Sequence, residues 1–197
     1  MDTLGELASL GHAVFARQTL VGGNYELLRC SSGQDTGPEP GAGCDFEPHP
    51  DYWVALLWHR LMGTAALPAP TLSGAGGGSA GAAEHDLRLR AHCTPNATRG
   101  AVTIAFANMA ESATYTLALP ASWGARAEYH LTAANATEGF AARTLALNAG
   151  PPLRTGAGAD VLPPLRPATQ PGATPAQLAP ASLGFLVFAD AGAAACS

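Results

Sequence analysis

Arg17-Gln18-Thr19-Leu20-Val21-Gly22-Gly23-Asn24-Tyr25, followed by Pro50-Asp51-Tyr52-Trp53 and Leu56-Leu57-Trp58-His59-Arg60-Leu61-Met62-Gly63, is the stretch whose reading decides the fold. From Val14 to Val21, Phe15, Arg17, Thr19 and Val21 alternate with Val14, Ala16, Gln18 and Leu20, the period-two pattern of a strand. Gly22-Gly23 ends it, because glycine reaches turn conformations with positive φ. Trp53, Leu56, Leu57, Arg60 and Leu61 then share one helical stripe over about Asp51 to Met62. Pro48 and Pro50 flank His49 at its start, and Gly63 stands where a C-terminal glycine cap belongs. Strand, glycine turn and amphipathic helix follow one another here, and loops after strand ends are where barrel enzymes keep their substrate contacts.

Outward from that unit, Leu4, Leu7, Ala8 and Leu10 suggest a short helix before the strand. A loop over 30–49, rich in Gly, Pro and Ser, is closed by Cys30 and Cys44. After the helix, Pro68-Ala69-Pro70 and the run Ser73 to Gly81 cannot bury a core and read as a flexible linker. From Asp86 the pattern becomes repeated short strands: Leu87/Leu89/Ala91, Val102/Ile104/Phe106, Tyr115/Leu117/Leu119, Tyr129/Leu131, Leu145/Leu147 and the apolar run Leu183 to Phe188. Strands spaced by turn residues predict a β-sandwich. The Pro-rich stretch 149–182 is expected to cross the sandwich surface as irregular chain, anchored by Leu162-Pro163-Pro164-Leu165. The expected division is 1–66 for a strand, loop and helix, 67–85 for a linker, and 86–197 for an all-β sandwich, an α+β arrangement overall.

Composition narrows the function classes. Gly (23) and Pro (16) make up about a fifth of the 197 residues, which favours short strands and turns over long helices. All ten basic residues are Arg; with the Ala, Gly and Pro excess, this reflects GC-rich coding more than function. The net charge of −5 is spread thinly, and no clustered basic patch of the kind that binds nucleic acid is visible. An anionic polysaccharide would have to be gripped by single arginines placed by the fold. No apolar run approaches the roughly 20 residues that span a bilayer. The four cysteines and the sequons at Asn96 and Asn135 fit an oxidising, secretory compartment, extracellular, cell wall or lysosomal/vacuolar, with membrane association as a further expectation. No signal peptide opens the chain, so the expectation is a truncated gene model.

The candidate chemistry is sparse. Glycoside hydrolysis takes two carboxyl groups, about 5–5.5 Å apart in retaining enzymes. Glu6, Glu26, Glu39, Asp45 and Glu47 are available; only Glu26 lies near a barrel-type strand end, and one acid makes no dyad, so all are expected as solvated surface acids. Tyr25, exposed by its turn, could offer a hydroxyl and a stacking face to a sugar, or pack on Trp53. Arg17 either lines the strand's inner face or, as expected, makes a structural ion pair with an acid of a neighbouring strand; Tyr52, Trp53 and Trp58 could stack on a sugar but are expected in helix packing. His49, His59 and His92 show no metal-ligand spacing, and no cofactor is implied. Four cysteines allow three pairings; Cys30 and Cys44 bracket one loop, while a Cys93–Cys196 bridge would staple the chain end to the sandwich.

Arg17–Tyr25 and Pro50–Gly63 closely resemble the heparanase-like branch of the glycoside hydrolases (family 79). The resemblance continues through Leu89 to Thr94, Glu128–Thr132, Leu145–Asn148, Leu162–Leu165 and Ala194-Ala195-Cys196. It is nearer to the plant and algal members than to the animal ones. It implies a (β/α)8 barrel, whose last strand, substrate loop and last helix are residues 1–66, with an attached C-terminal β-sandwich, and a retaining β-glucuronidase activity on uronic-acid polysaccharides or proteoglycan glycans. It implies a sugar contact at Gly23 and Tyr25 and a Cys93–Cys196 bridge, and says nothing of Cys30 and Cys44. The acid/base and nucleophile glutamates of that family precede the region matched by position 1. The expectation is therefore the C-terminal portion of a glycosidase, dependent on the missing barrel; the alternative is a non-catalytic carbohydrate-binding or structural β-sandwich module.

Overall fold

A computed structural model describes residues 1–23, 25–30, 46–68, 70, 85–155 and 161–197. The expected linker falls almost wholly outside these residues, as does most of the Cys30–Cys44 loop. The helices are α1 (Asp2–Ser9) and α2 (Pro50–Leu61). Among the described residues the strands are β1 (Leu28–Cys30), β2 (Phe46–Pro48), β3 (Ala66–Leu67), β4 (Leu87–Cys93), β5 (Val102–Asn108), β6 (Tyr115–Leu117), β7 (Arg126–Ala133), β8 (Leu145–Leu147), β9 (Ala168–Gln170), β10 (Ala176–Leu178) and β11 (Ser182–Phe188).

The main sheet is antiparallel in the order β3-β4-β5-β11-β7-β8, with β9 paired to β7. Its two central strands are covered on both faces. Val102, Ile104 and Phe106 of β5, with Leu186 and Phe188 of β11, join Tyr115, Leu117, Ala176 and Leu178 of the small β6–β10 ladder in one core. Ala105 and Phe185, which alternate with them, point the other way and join Trp53, Val54, Leu57 and Met62 of the α2 region. The molecule is thus a mixed α+β fold, sandwich-like on one face of the sheet and helix-covered on the other. Burying a side chain such as Phe185 or Leu186 contributes about 1.5–3 kcal/mol, and these strands do so on both sides.

No closed barrel forms. The strand expected over Val14–Val21 is absent, apart from one parallel bridge between Val21 and Leu28. A strand needs a neighbour for its backbone donors and acceptors, and residues 14–18 find none among the described residues. Val14 stays 81% exposed and Leu20 58%. The irregular chain expected over 149–182 is also corrected, because it contains β9 and β10. Its anchor holds: Leu162 and Leu165 pack against the α2 core.

Helix α2 ends for a different reason from the one expected. Met62 is extended (φ −101°, ψ 115°), and Gly63 is no left-handed cap. Its N–H donates to Cys93 O at 2.7 Å, and a Cβ there would collide with that carbonyl. Gly63 is small because the helix exit runs hard against β4. Arg60, expected on the buried stripe, is exposed, and Val54 takes its share of the packing.

Cys93 and Cys196 are bridged across 103 residues, fixing the chain end to β4; closing a loop of that length contributes roughly 4–5 kcal/mol in the chain-entropy description. Gly192 and Ala193 also donate to Arg99 O and Gly100 O. Cys30 is buried and disulfide-bonded, while Cys44 lies outside the described residues.

On the sandwich face of β7 sits a charged cluster. Arg126 Nε donates to Glu128 Oε1 at 2.7 Å, and Nη2 approaches the same oxygen at 2.7 Å, off the hydrogen-bonding angle. His130 Nε2 lies 3.0 Å from Glu128 Oε2. Arg126 Nη1 donates to the carbonyls of Pro171 and Thr174, tying down the chain around β9. Burial pushes the Glu128 carboxyl up, but the His130 and Arg126 hydrogen bonds and charges outweigh it and hold its pKa below the usual carboxylate value. A depressed carboxylate pKa stabilises the fold above the unfolded-state value, near 4.5, and that contribution fades as pH falls through the folded value. The melting temperature should therefore drop as pH falls below about 4.5, and Glu128→Gln should flatten this part of the profile. An unchanged profile in the variant would remove Glu128 from the acid response.

Candidate functional site

The glycine turn, the start of α2 and a turn from the β7–β8 connection meet around one open cleft of about 480 Å³. Gly22 (φ +90°) and Gly23 (φ +87°) are both left-handed, a conformation costly to residues with a Cβ. They let the chain loop round and run alongside itself in the same direction, so that Leu27 N–H donates to Thr19 O and Leu28 N–H to Leu20 O. From there β1 pairs with β2, His49 N–H donates to Leu27 O at 2.9 Å, and Pro50 starts α2 at a position where its missing N–H costs nothing. The turn and the helix N-terminus are thereby fixed side by side.

Arg17 locks this arrangement. Its guanidinium donates to Tyr25 O at 2.7 Å and to Asp51 Oδ2 at 2.6 Å, and lies 5.9 Å from the centre of the Tyr25 ring. The ion pair expected of Arg17 is present, made with the first turn of α2 instead of a neighbouring strand. As a half-exposed pair it contributes only about 0–1 kcal/mol to stability; its effect is positional. Tyr25 is 54% exposed, and its hydroxyl has no hydrogen-bond partner among the described residues. The alternative of packing on Trp53 is not seen. Trp53 is fully buried, with its ring against Tyr52 at 5.5 Å, and Trp58 packs on His92 and Phe185.

Glu26 overturns an expectation. It is 2% exposed, and its carboxylate accepts the Gly22 N–H across the turn. The sequence suggested a solvated acid because nothing in its spacing shows that the chain folds back over it. Glu6 and Glu47 are exposed as expected, and Glu39 and Asp45 lie outside the described residues. The carboxylates lining the cleft, Glu26 and Asp51, are each already engaged, one by the turn and one by Arg17. Neither is free to work as half of an acid pair. Among the described residues, no group of three His, Cys, Asp or Glu could hold a metal.

Sequence reasoning missed three cleft residues: Arg29 on β1, His49 before α2, and Arg143 beyond β7. Arg143 stands 118 positions from Tyr25, alone among alanines, and only the folded sheet brings it near. The sequon asparagines Asn96 and Asn135 are both exposed.

No protein-family profile matches the chain. Heparanase-like protein 1 of Arabidopsis thaliana is 32% identical over the whole chain, which covers 37% of that protein. Baicalin-beta-D-glucuronidase of Scutellaria baicalensis is 30% identical over 94% of the chain and 30% of its own length. Inactive heparanase-2 of Homo sapiens is 27% identical over the whole chain and 31% of its length. These are relatives of glycoside hydrolases, joined to a mixed α+β fold with a tyrosine-lipped cleft. The chain belongs to the heparanase-like family, glycoside hydrolase family 79. It spans about a third of the length of the curated relatives it matches.

Glu26→Ala should leave the sheet intact but loosen the turn. Loss of a buried charge-assisted bond costs about 1.5–3 kcal/mol, so amide exchange over 20–28 should accelerate at least tenfold while β5 and β11 remain protected. Equal acceleration everywhere would show that Glu26 supports the whole fold instead.

Proposed function

We propose that this chain is the C-terminal portion of a retaining β-glucuronidase of the heparanase type. In this reading it supplies one wall of a site for uronic-acid-bearing polysaccharides or proteoglycan glycans. Gly23 and Tyr25 make the sugar contact, and the carboxyl pair comes from a barrel portion to which residues 1–66 add the last strand and helix. The observation that carries this is Tyr25: an exposed ring whose hydroxyl has no partner among the described residues, held over a cleft by Arg17 and two left-handed glycines. The exposed apolar side chains of Val14, Phe15 and Leu20 support a neighbouring layer over residues 14–21. The Cys93–Cys196 bridge and the exposed sequon asparagines support a secretory location, with glycans on Asn96 and Asn135. No described helix is long and apolar enough to cross a membrane.

A second reading, a non-catalytic glycan-binding or structural form, is favoured by the engagement of both cleft carboxylates. The name of one relative, an inactive heparanase, also fits it. Activity separates the two. The 197-residue chain alone should not turn over a chromogenic β-glucuronide, whereas the chain joined to the barrel portion should. In that longer protein Tyr25→Phe removes one hydrogen bond to a charged sugar, worth about 1.5–3 kcal/mol, so kcat/KM should fall about ten- to hundredfold with the melting temperature unchanged. A lowered melting temperature with intact kcat/KM would make Tyr25 a packing residue.

A further inference from the structure

Both sequons are exposed, yet the fold holds them in different ways. Asn96-Ala97-Thr98 lies in the turn between β4 and β5, just after Cys93. The base of this turn is closed by Thr94 N–H, which donates to Ala101 O at 3.0 Å. The end of the chain then lies along it. Gly192 N–H donates to Arg99 O at 3.1 Å and Ala193 N–H to Gly100 O at 3.0 Å. Arg99 Nη1 donates to Asp190 Oδ1 at 3.0 Å, and Cys196 is bonded to Cys93. Gly100 (φ +65°) is where the two segments touch, and a Cβ there would collide with the backbone of Ala193. Asn96 (φ +53°) and Arg99 (φ +69°) are left-handed within the same turn. The backbone shape of this sequon is therefore fixed by a tail that comes from the far end of the sequence.

Asn135-Ala136-Thr137 is held by its own neighbours. Thr137 Oγ1 donates to Asn135 Oδ1 at 2.9 Å, and Asn135 Nδ2 donates to Glu138 Oε1 at 3.2 Å. Glu138 N–H donates to Asn135 O at 3.0 Å. These bonds are all local, so opening them frees the sequon without disturbing the sheet.

Adding a glycan takes more than an exposed amide. Asn Nδ2 displaces the diphosphate at the anomeric carbon of a lipid-linked oligosaccharide. The N–C bond forms, the C–O bond breaks, and one Nδ2 hydrogen leaves with the lipid diphosphate. The sequon has to present Nδ2 and the hydroxyl two residues on together, in a shape that the transferase imposes. We propose that Asn96 accepts a glycan only while the tail 190–197 is undocked, so that the Cys93–Cys196 bridge closes this site, whereas Asn135 stays open in the folded chain. The exposed side chain of Asn96 lets a glycan already added remain after closure. The bridge forms by exchange with a disulfide donor, which carries away the two thiol hydrogens. This rests on the secretory reading above and adds an order of events to it: glycan first at Asn96, bridge second.

The test offers the unglycosylated 197-residue chain to a purified oligosaccharyltransferase with its lipid-linked donor. Peptide mass spectrometry reads the occupancy of each sequon over time, and linear peptides carrying each sequon serve as unfolded references. In the oxidised chain, Asn135 should be modified at nearly the rate of its peptide. Asn96 should be modified at least about tenfold more slowly than its peptide, because two backbone hydrogen bonds and the tether must open first. Cys196→Ser should restore most of the Asn96 rate and leave Asn135 unchanged, with hydrogen exchange in β5 and β11 confirming that the sheet persists. If that variant unfolds, the oxidised chain measured against the peptides still decides the proposal. Modification of Asn96 in the oxidised chain at its peptide's rate, or equal slowing at Asn135, overturns the order of events and leaves both asparagines as glycan sites. A folded Cys196→Ser chain with no gain at Asn96 removes the bridge as the gate. An Asn96 peptide that accepts no glycan overturns the proposal together with the glycan reading of that site.

Discussion

The burial of β5 and β11 on both faces is the constraint on which the rest of the structure depends. Every residue of β5 is buried, so the sheet needs a cover above and below. The β6–β10 ladder supplies one and α2 the other. Two close approaches make this possible. Gly184 of β11 lies between Phe106 and His130 in the register, and the two rings meet across it at 5.2 Å. A Cβ at Gly184 would press on the Phe106 ring at 2.7 Å. On the other side, Gly63 lets the end of α2 run against β4. With α2 seated this way, its first turn meets the Tyr25 loop, so the position of the cleft follows from the packing of the sheet.

Much of this was legible in the residues. Helix α2 and the long strands announce themselves by periodicity, because a covered face demands apolar residues at 3.6 or 2.0 spacing. The Leu162–Leu165 anchor and the packing roles of Trp53 and Trp58 were also readable. The failures share a cause, which is dependence on a distant partner. Residues 14–21 alternate like a strand, yet among the described residues 14–18 have no neighbour and Val21 keeps a single bridge to Leu28. Strands β9 and β10 are three residues each in Pro-rich chain, and they exist because β7 and β6 offer them edges. Gly63 looked like a cap in one dimension and is a contact in three. Glu26 and Arg143 had no pattern at all; their roles come from a loop in the chain and from a sheet connection.

The cleft shows how little energy is needed to set a geometry. The Arg17–Asp51 pair is half-exposed and contributes little to stability. It nevertheless joins the loop of Tyr25 to the helix that follows, and the Glu26–Gly22 bond fixes the loop from beneath. The charged cluster of Arg126, Glu128 and His130 is the opposite kind of feature. It lies mostly buried, linked to the Pro171 and Thr174 carbonyls, and holds the segment around β9 to the sheet without touching the cleft.

The strand order carries a consequence for biosynthesis. β11 pairs with both β5 and β7, yet it is made after both of them. About 80 residues separate the start of β5 from that of β11, which at 5–20 residues per second is roughly 4–16 s of translation. For that interval two strand edges meant to be joined wait with their apolar side chains open. Cys93 waits for Cys196 over a longer interval still. Until β11 arrives the sheet stays split between β5 and β7.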